Sequence, residues 1–222
     1  MQLATSRAVL WDLDGTLVDS AEYHWLAWRE ALTAEGHTFD KAFLVATFGQ
    51  RNDRILRALL GPDASAAEIE RIAGAKEACY RTLVRKRGIE LLPGAELWLK
   101  RLRASGWRQA LATSAPRANV AAMVEVLGLS EYFGAIVAAE DVQRGKPDPQ
   151  VFLLAAERIG APTYRCVVVE DAAAGVEGAR NAGMRSIGVG AKHAELGATF
   201  AVSSLVELPE DAFEDLLGRI DL

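Results

Sequence analysis

Five short apolar-rich runs punctuate the chain: Ala8-Val9-Leu10-Trp11, Gln109-Ala110-Leu111-Ala112, Ala135-Ile136-Val137-Ala138, Cys166-Val167-Val168-Val169 and, more weakly, Ser186-Ile187-Gly188-Val189. Continuous rather than alternating apolarity marks strands covered on both faces, as in a parallel sheet flanked by helices. Between the later runs, residues 94–105, 118–127, 149–159 and 173–182 carry helical spacing. Gly106, Gly128, Gly160 and Gly183 stand just past these segments, where a left-handed C-cap is wanted. This strand–helix alternation predicts an α/β fold with a doubly wound, Rossmann-like parallel sheet.

The rhythm breaks once. Residues 20–88 carry helical pattern and no convincing strand, and a simple βαβ crossover needs far fewer residues. The expected organisation is therefore an α/β core of residues 1–19 and 89–222, with a helical cap domain of residues 20–88 inserted after the first strand. The cap is entered near Asp19-Ser20 and left between Gly88 and Pro93-Gly94. Within it, Gly61-Pro62-Asp63-Ala64 reads as a turn between helices, and Ser65 and Glu68 have the spacing of a capping box.

Composition narrows the class without naming it. The 222 residues are 50% hydrophobic and carry a formal charge of −5, which suits a globular core plus a small second domain and excludes a disordered chain. A pI near 5.4 argues against a basic nucleic-acid binder. Two cysteines and three histidines, with no C-x-x-C or H-E-x-x-H, exclude a zinc finger, an iron–sulfur site or a disulfide scaffold. No stretch approaches the ~20 apolar residues of a membrane span, and the N-terminal residues do not read as a signal peptide. The expectation is a cytoplasmic protein without nucleic-acid or membrane partners, a monomer with a homodimer as the alternative.

Chemistry-bearing residues gather at the strand ends. The first strand runs into Asp12-Leu13-Asp14-Gly15-Thr16, and open α/β sheets place ligand sites at such carboxyl ends. Taken alone, Asp14 before Gly15 also reads as a turn residue. Thr113-Ser114 closes the second strand with hydroxyls and backbone N–H groups suited to an anion. Lys146 supplies a compact cation in the next loop, and Glu170-Asp171 follows the most apolar run. Each has a bland reading, as a helix cap, a solvated loop charge and a helix N-terminus respectively. Together they would converge on one cleft.

Asp12, Asp14, Glu170 and Asp171 would bring four negative charges to that cleft, of which Lys146 offsets one. A phosphate dianion could not readily enter, whereas a divalent cation would give the carboxylates a reason to coexist. Hard oxygen donors favour Mg²⁺ over zinc or copper. A metal-dependent phosphoryl-transfer centre is the expectation, its partner a small phosphorylated metabolite.

The segments D-x-D-G-T, T-S, G-K-P and V-V-V-E-D-x-x-x-G, in this order and spacing, resemble the four motifs of the haloacid-dehalogenase-like superfamily, and the helical insertion resembles its first cap class. The resemblance implies Asp12 as the nucleophile that forms an aspartyl-phosphate. It implies Asp14 as general acid/base, its backbone carbonyl also on the metal, and Thr113 with the Ser114 backbone on the transferring phosphoryl group. Lys146 would neutralise charge, and Glu170 and Asp171 would join Asp12 in holding Mg²⁺. An acid at position 14 further implies the phosphatase and phosphomutase branches, because an ester leaving group needs a proton.

The cap speaks to substrate. Residues 19–28 resemble the corresponding stretch of β-phosphoglucomutases, which implies that His24 and Trp28, one helical turn apart, face the site; Trp28 reads equally as part of a buried stripe with Trp25 and Leu32. Lys76, followed by Tyr80, is similar to a mutase cap lysine. The loop Phe48-Gly49-Gln50-Arg51-Asn52-Asp53 departs from the mutases, whose arginine falls where this chain has Asn52. By resemblance Gly49, Arg51 and Asn52 would contact substrate, in a pattern closer to sugar-phosphate phosphatases. A phosphatase is the first expectation and a β-phosphoglucomutase the second. Receiver domains, which accept phosphate as signalling switches, are a distant third, since their acidic pair follows the first strand and no helical cap covers them.

Overall fold

The computed structural model of the chain describes residues 6–38, 40–47 and 50–218. Its centre is a six-stranded sheet of β1 (Ala8–Trp11), β2 (Arg108–Ala112), β3 (Ala135–Val137), β4 (Cys166–Glu170), β5 (Arg185–Val189) and β6 (Phe200–Val202), in the order β3-β2-β1-β4-β5-β6. Every neighbouring pair is parallel. The doubly wound α/β expectation holds, and the five apolar runs are β1 to β5. β6 was not expected: it is three residues long at the sheet edge, with Phe200 exposed, and so carries too little pattern to read.

From β1 the chain first builds outward to β2 and β3, then crosses to β4 on the other side. The carboxyl ends of β1 and β4 therefore flank the switch point where ligands bind in such sheets. Their register pairs Trp11 with Val169, and the Asp12 N–H continues the ladder by donating to the Val169 carbonyl at 3.0 Å. Asp12 and Glu170 are thus neighbours by backbone pairing alone.

Between β1 and β2 lie α1 (Ala21–Ala34), α2 (Lys41–Thr47), α3 (Asn52–Leu60) and α4 (Ala66–Arg87). Ser65 caps α4, its hydroxyl accepting from the Glu68 N–H at 3.1 Å. Trp28, Leu32, Ile55, Leu56, Ile69 and Ile72 form a small apolar cluster shared by α1, α3 and α4. The outgoing and returning passages lie side by side: Val18 bridges Leu91, and the Leu92 N–H donates to the Leu17 carbonyl at 2.8 Å. The Tyr23 hydroxyl adds a bond to the Gly88 carbonyl at 2.7 Å.

Helices α5 (Ala95–Ala104), α6 (Arg117–Leu127), α7 (Gln150–Ile159), α8 (Ala173–Asn181) and α9 (Ala212–Leu217) complete the α-helices of the described residues. Strand residues alternate between two layers: Val9, Trp11, Val167 and Val169 join one apolar cluster, Ala8, Leu10, Cys166 and Val168 the other. In the first, Phe213 sits among Trp11, Trp98 and Trp107, with ring centroids 6.1, 5.1 and 5.8 Å away. The polar intruder Gln109 is satisfied there, accepting from the Trp11 indole and donating to the Leu99 carbonyl, both at 2.9 Å. Burial on both faces of β1 and β4 fixes the positions of the strand ends. Among the described residues no helix is long and apolar enough to cross a membrane.

Candidate active site

The site grows from the turn after β1. Gly15 adopts φ +82°, and a Cβ there would overlap the Asp171 carboxylate arriving from the end of β4. Across the site Gly175, in the first turn of α8, has the matching relation to Glu170, whose carboxylate occupies the space a Cβ would take. The two glycines leave room for the two acids of the Glu170-Asp171 pair. Gly175→Ala is accordingly expected to push the Glu170 carboxylate aside and lower turnover by about 10²-fold, the scale of an ångström-sized misplacement. Steady-state kinetics on a protein with an unaltered circular dichroism spectrum checks this; wild-type turnover would refute it.

Lys146 ties the acids together. Its ammonium lies 2.5 Å from Asp12 Oδ1 and also bonds Glu170 Oε1, while Glu170 Oε2 accepts from the N–H groups of Asp171 and Ala172, both at 3.1 Å. Asp12, Glu170 and Asp171 each present a carboxylate oxygen within 4.8 Å of the others'. Burial, against the pull of Lys146, pushes the Asp12 carboxyl up, with Glu170 and Asp171 adding to the rise. Burial and then the Glu170 charge push Asp171 to about 7. Lys146 is raised: burial opposes its charge, but Asp12 and Glu170 outweigh it. Two buried carboxylates and a half-buried third, with one ammonium among them, are short of positive charge. All-oxygen donors at this spacing fit a hard divalent cation.

The Asp14 carboxylate is outside that trio, so any share it takes in a metal site comes from its backbone carbonyl. Its Oδ1 accepts from the Ser20 hydroxyl and faces His24 Nε2 at 3.4 Å. His24 Nδ1 in turn meets the Lys76 ammonium at 2.9 Å. An ammonium only donates, so Nδ1 accepts and the Nε2 proton points at Asp14. Burial lowers the His24 pKa and keeps the ring neutral, with the Lys76 charge acting in the same direction. Burial alone would raise Asp14, but His24, Ser20 and Lys76 outweigh it and hold the carboxyl low. His24 also stacks on Tyr80, the ring centroids 4.4 Å apart.

Thr113 is buried after β2 and its hydroxyl accepts from the Ala115 N–H at 3.0 Å, shaping the loop in which Ser114 lines the cleft. Arg51 arrives from the start of α3: its guanidinium pairs with Asp53 at 3.3 Å, and its Cδ lies 3.6 Å from where a Cβ on Gly145 would stand. Asp12, Asp14, His24, Trp28, Arg51, Asn52, Lys76, Thr113, Ser114, Lys146, Glu170 and Asp171 all line one cleft of about 1190 Å³.

Several expected substrate contacts are engaged otherwise. Trp28 is 1% exposed and packed in the cluster of α1, α3 and α4, so its buried-stripe reading describes most of its surface. The Asn52 amide donates to Glu77 Oε1 at 2.6 Å. Lys76 is 2% exposed, its ammonium shared between His24 and Glu77. Gly49 lies outside the described residues. Ser20 and Glu77 were not singled out from sequence: Ser20 read only as a boundary residue, and a glutamate beside a lysine on a helix reads as surface charge.

Comparison with known proteins places the chain in a family. Residues 6–183 match the family model described as haloacid dehalogenase-like hydrolase. The chain is 33% identical over 185 residues to a fructose-1-phosphate phosphatase of Escherichia coli K12, covering 82% of this chain and 95% of the relative. It is also 33% identical over 208 residues to the β-phosphoglucomutase of Bacillus subtilis, covering 91% of each. A crystal structure of β-phosphoglucomutase from Clostridium difficile superposes with a TM-score of 0.86 at 27% identity, over 96% of this chain and 97% of that one. By the family model that matches residues 6–183 and by these relatives, the chain belongs to the haloacid dehalogenase-like hydrolases, in their sugar-phosphate phosphatase and phosphomutase branch.

Proposed function

We propose that the protein is a Mg²⁺-dependent phosphatase of small phosphorylated metabolites, foremost sugar phosphates, working through a phosphoryl group carried on Asp12. The observation that supports this best is the pairing of two differently held aspartates. Asp12 sits at 2.5 Å from Lys146 among the other acids, while two residues on Asp14 is turned toward Ser20 and His24. One carboxylate is placed as nucleophile and the other as acid/base.

In the first half-reaction an Asp12 oxygen attacks phosphorus and the bond to the ester oxygen breaks, its electron pair leaving with the substrate alcohol. Asp14 gives that oxygen its proton. The free carboxyl is held low, but an entering phosphate brings negative charge beside it, which favours the protonated form. In the second half-reaction Asp14 takes a proton from water as the water attacks the phosphoryl group on Asp12, releasing inorganic phosphate. Lys146, Thr113 and the Ser114 backbone hold the phosphoryl oxygens, positioning being most of what phosphoryl transfer asks of a protein. Asp12, Glu170, Asp171 and the Asp14 carbonyl would hold Mg²⁺, which when bound neutralises charge between nucleophile and phosphate.

Exhaustive chelation is expected to abolish turnover and added Mg²⁺ to restore it, with Ca²⁺ failing because its looser coordination misplaces Asp12. Phosphate release by the chelated enzyme, or by the calcium form alone, would count against the metal assignment.

A phosphomutase is the second reading. It is favoured by the Asp14–His24–Lys76 chain and by 33% identity to the Bacillus subtilis mutase. Against it, Asn52 stands where the mutase arginine would be and spends its amide on Glu77. Incubation with β-glucose 1-phosphate, Mg²⁺ and a trace of glucose bisphosphate separates the two. Glucose 6-phosphate would mark a mutase, and free phosphate from it or from fructose 1-phosphate a phosphatase.

A further inference from the structure

Glu77 is a nearly buried carboxylate, 7% exposed, that the mechanism above does not use. It lies on α4 and gathers donors from three directions. Oε1 accepts from Lys76 Nζ at 2.7 Å and from Asn52 Nδ2 of α3 at 2.6 Å, while Oε2 accepts from Asn119 Nδ2 of α6. The Asn119 amide is oriented from both ends, because its Oδ1 accepts from Arg81, one helical turn beyond Glu77, at 3.1 Å. Asn119 itself is fully buried. It stands in the first turn of the helix that follows the Thr113-Ser114 loop, whereas Glu77 and Arg81 belong to the segment between β1 and β2. Burial raises Glu77, but Lys76, Asn52 and Asn119 outweigh it and keep the carboxyl ionised. A buried carboxylate with this many charge-assisted bonds stabilises one geometry and penalises its loss.

We infer that Glu77, clamped by Asn119 and Arg81, is a positioning residue for the acid/base: it seats Lys76 on His24, and so holds His24 against Asp14, when α4 is docked on α6. The relay runs from Asn119 through Glu77, Lys76 and His24 to Asp14, one link at a time. Lys76 has its ammonium between an acid and an imidazole; without the acid its stem is free to leave the ring, and the Nδ1 atom loses the donor that fixes the tautomer. Undocking α4 from α6 would release the same links. Asp14 would then be held in its acid/base orientation only in the docked arrangement. The inference rests on the assignment of Asp14 as general acid.

The test is a leaving-group comparison. kcat/KM covers steps through transfer of the phosphoryl group to Asp12, and a sugar alkoxide needs a proton in that step far more than 4-nitrophenolate does. Wild type, Asp14→Asn, Glu77→Gln and Asn119→Ala are assayed on a sugar phosphate the wild type hydrolyses and on 4-nitrophenyl phosphate. Glu77→Gln is expected to lower kcat/KM at least about tenfold more on the sugar ester than on the aryl ester, within the range of general-acid catalysis. Asn119→Ala, which leaves the Lys76–Glu77 pair in place, should shift the same ratio in the same direction by less, and carries the test alone if Glu77→Gln fails to fold. Equal losses on the two esters would assign Glu77 and Asn119 a structural role and overturn the inference, as would no loss. If Asp14→Asn discriminates between the esters and the other variants do not, the inference alone fails. Should Asp14→Asn lower both equally, the acid assignment itself falls.

Discussion

Asp12→Asn is expected to remove at least about 10⁴-fold of the phosphatase turnover, on the scale of deleting a covalent nucleophile, and to leave the protein folded. An amide oxygen has neither the charge nor the basicity to displace an ester oxygen from phosphorus. The replacement is otherwise mild: it keeps the side-chain volume and an oxygen for Lys146 at 2.5 Å, and it does not touch the backbone bond to Val169. It also removes one of three crowded carboxylates whose burial already pushes Asp12 and Asp171 upward, so the loss of one ion pair is partly offset by relief of repulsion. Kinetics, a thermal melt and a search for protein-bound phosphate after rapid quenching check the prediction together. A folded variant that still turned over, or still accepted phosphate, would place the nucleophile elsewhere.

The core of that site was legible because its information is local. β1 to β4 carry apolar runs, β5 a weaker one, and Asp12, Glu170 and Asp171 follow two strands that the sheet order sets side by side, with Lys146 reaching them from the loop between β3 and α7. Register does the rest, setting Asp12 beside Glu170 without any long-range choice of rotamer. Gly175 could be matched to a motif, yet its cause, the room it leaves for the Glu170 carboxylate, appears only when α8 is packed. The helical segment was harder to read. Asn52 looked like a substrate contact, but its partner Glu77 is 25 residues away and becomes available only when α3 and α4 pack together. The bond between Glu77 and Asn119 spans 42 residues and depends on α4 meeting α6, which no periodicity announces. Ser20 was missed for a simpler reason: in the sequence it marks only where the cap is entered, whereas in the fold its hydroxyl serves Asp14 and makes no side-chain cap bond.

Lys146→Met should separate the two duties of the one buried ammonium in this cluster. For catalysis it removes a fixed positive charge from where the phosphoryl group must sit, and kcat/KM is expected to fall by about 10²–10³-fold, as when a preorganised donor to a developing anion is deleted. For stability, it leaves Asp12 and Glu170 without their shared partner in a setting where Lys146 is only 9% exposed. Breaking such a buried pair from one side costs about 3–5 kcal/mol, so the metal-free variant is expected to melt well below the wild type. Added Mg²⁺ should then recover more stability in the variant than in the native chain. The ammonium and a divalent cation answer the same carboxylates, so losing the first strengthens the binding of the second, and tighter binding to the folded state raises the melting temperature. Melting curves across a Mg²⁺ titration read this directly. A Mg²⁺-induced rise in Tm no larger in the variant than in the wild type would mean that Lys146 and the metal do not share the Asp12–Glu170 charge.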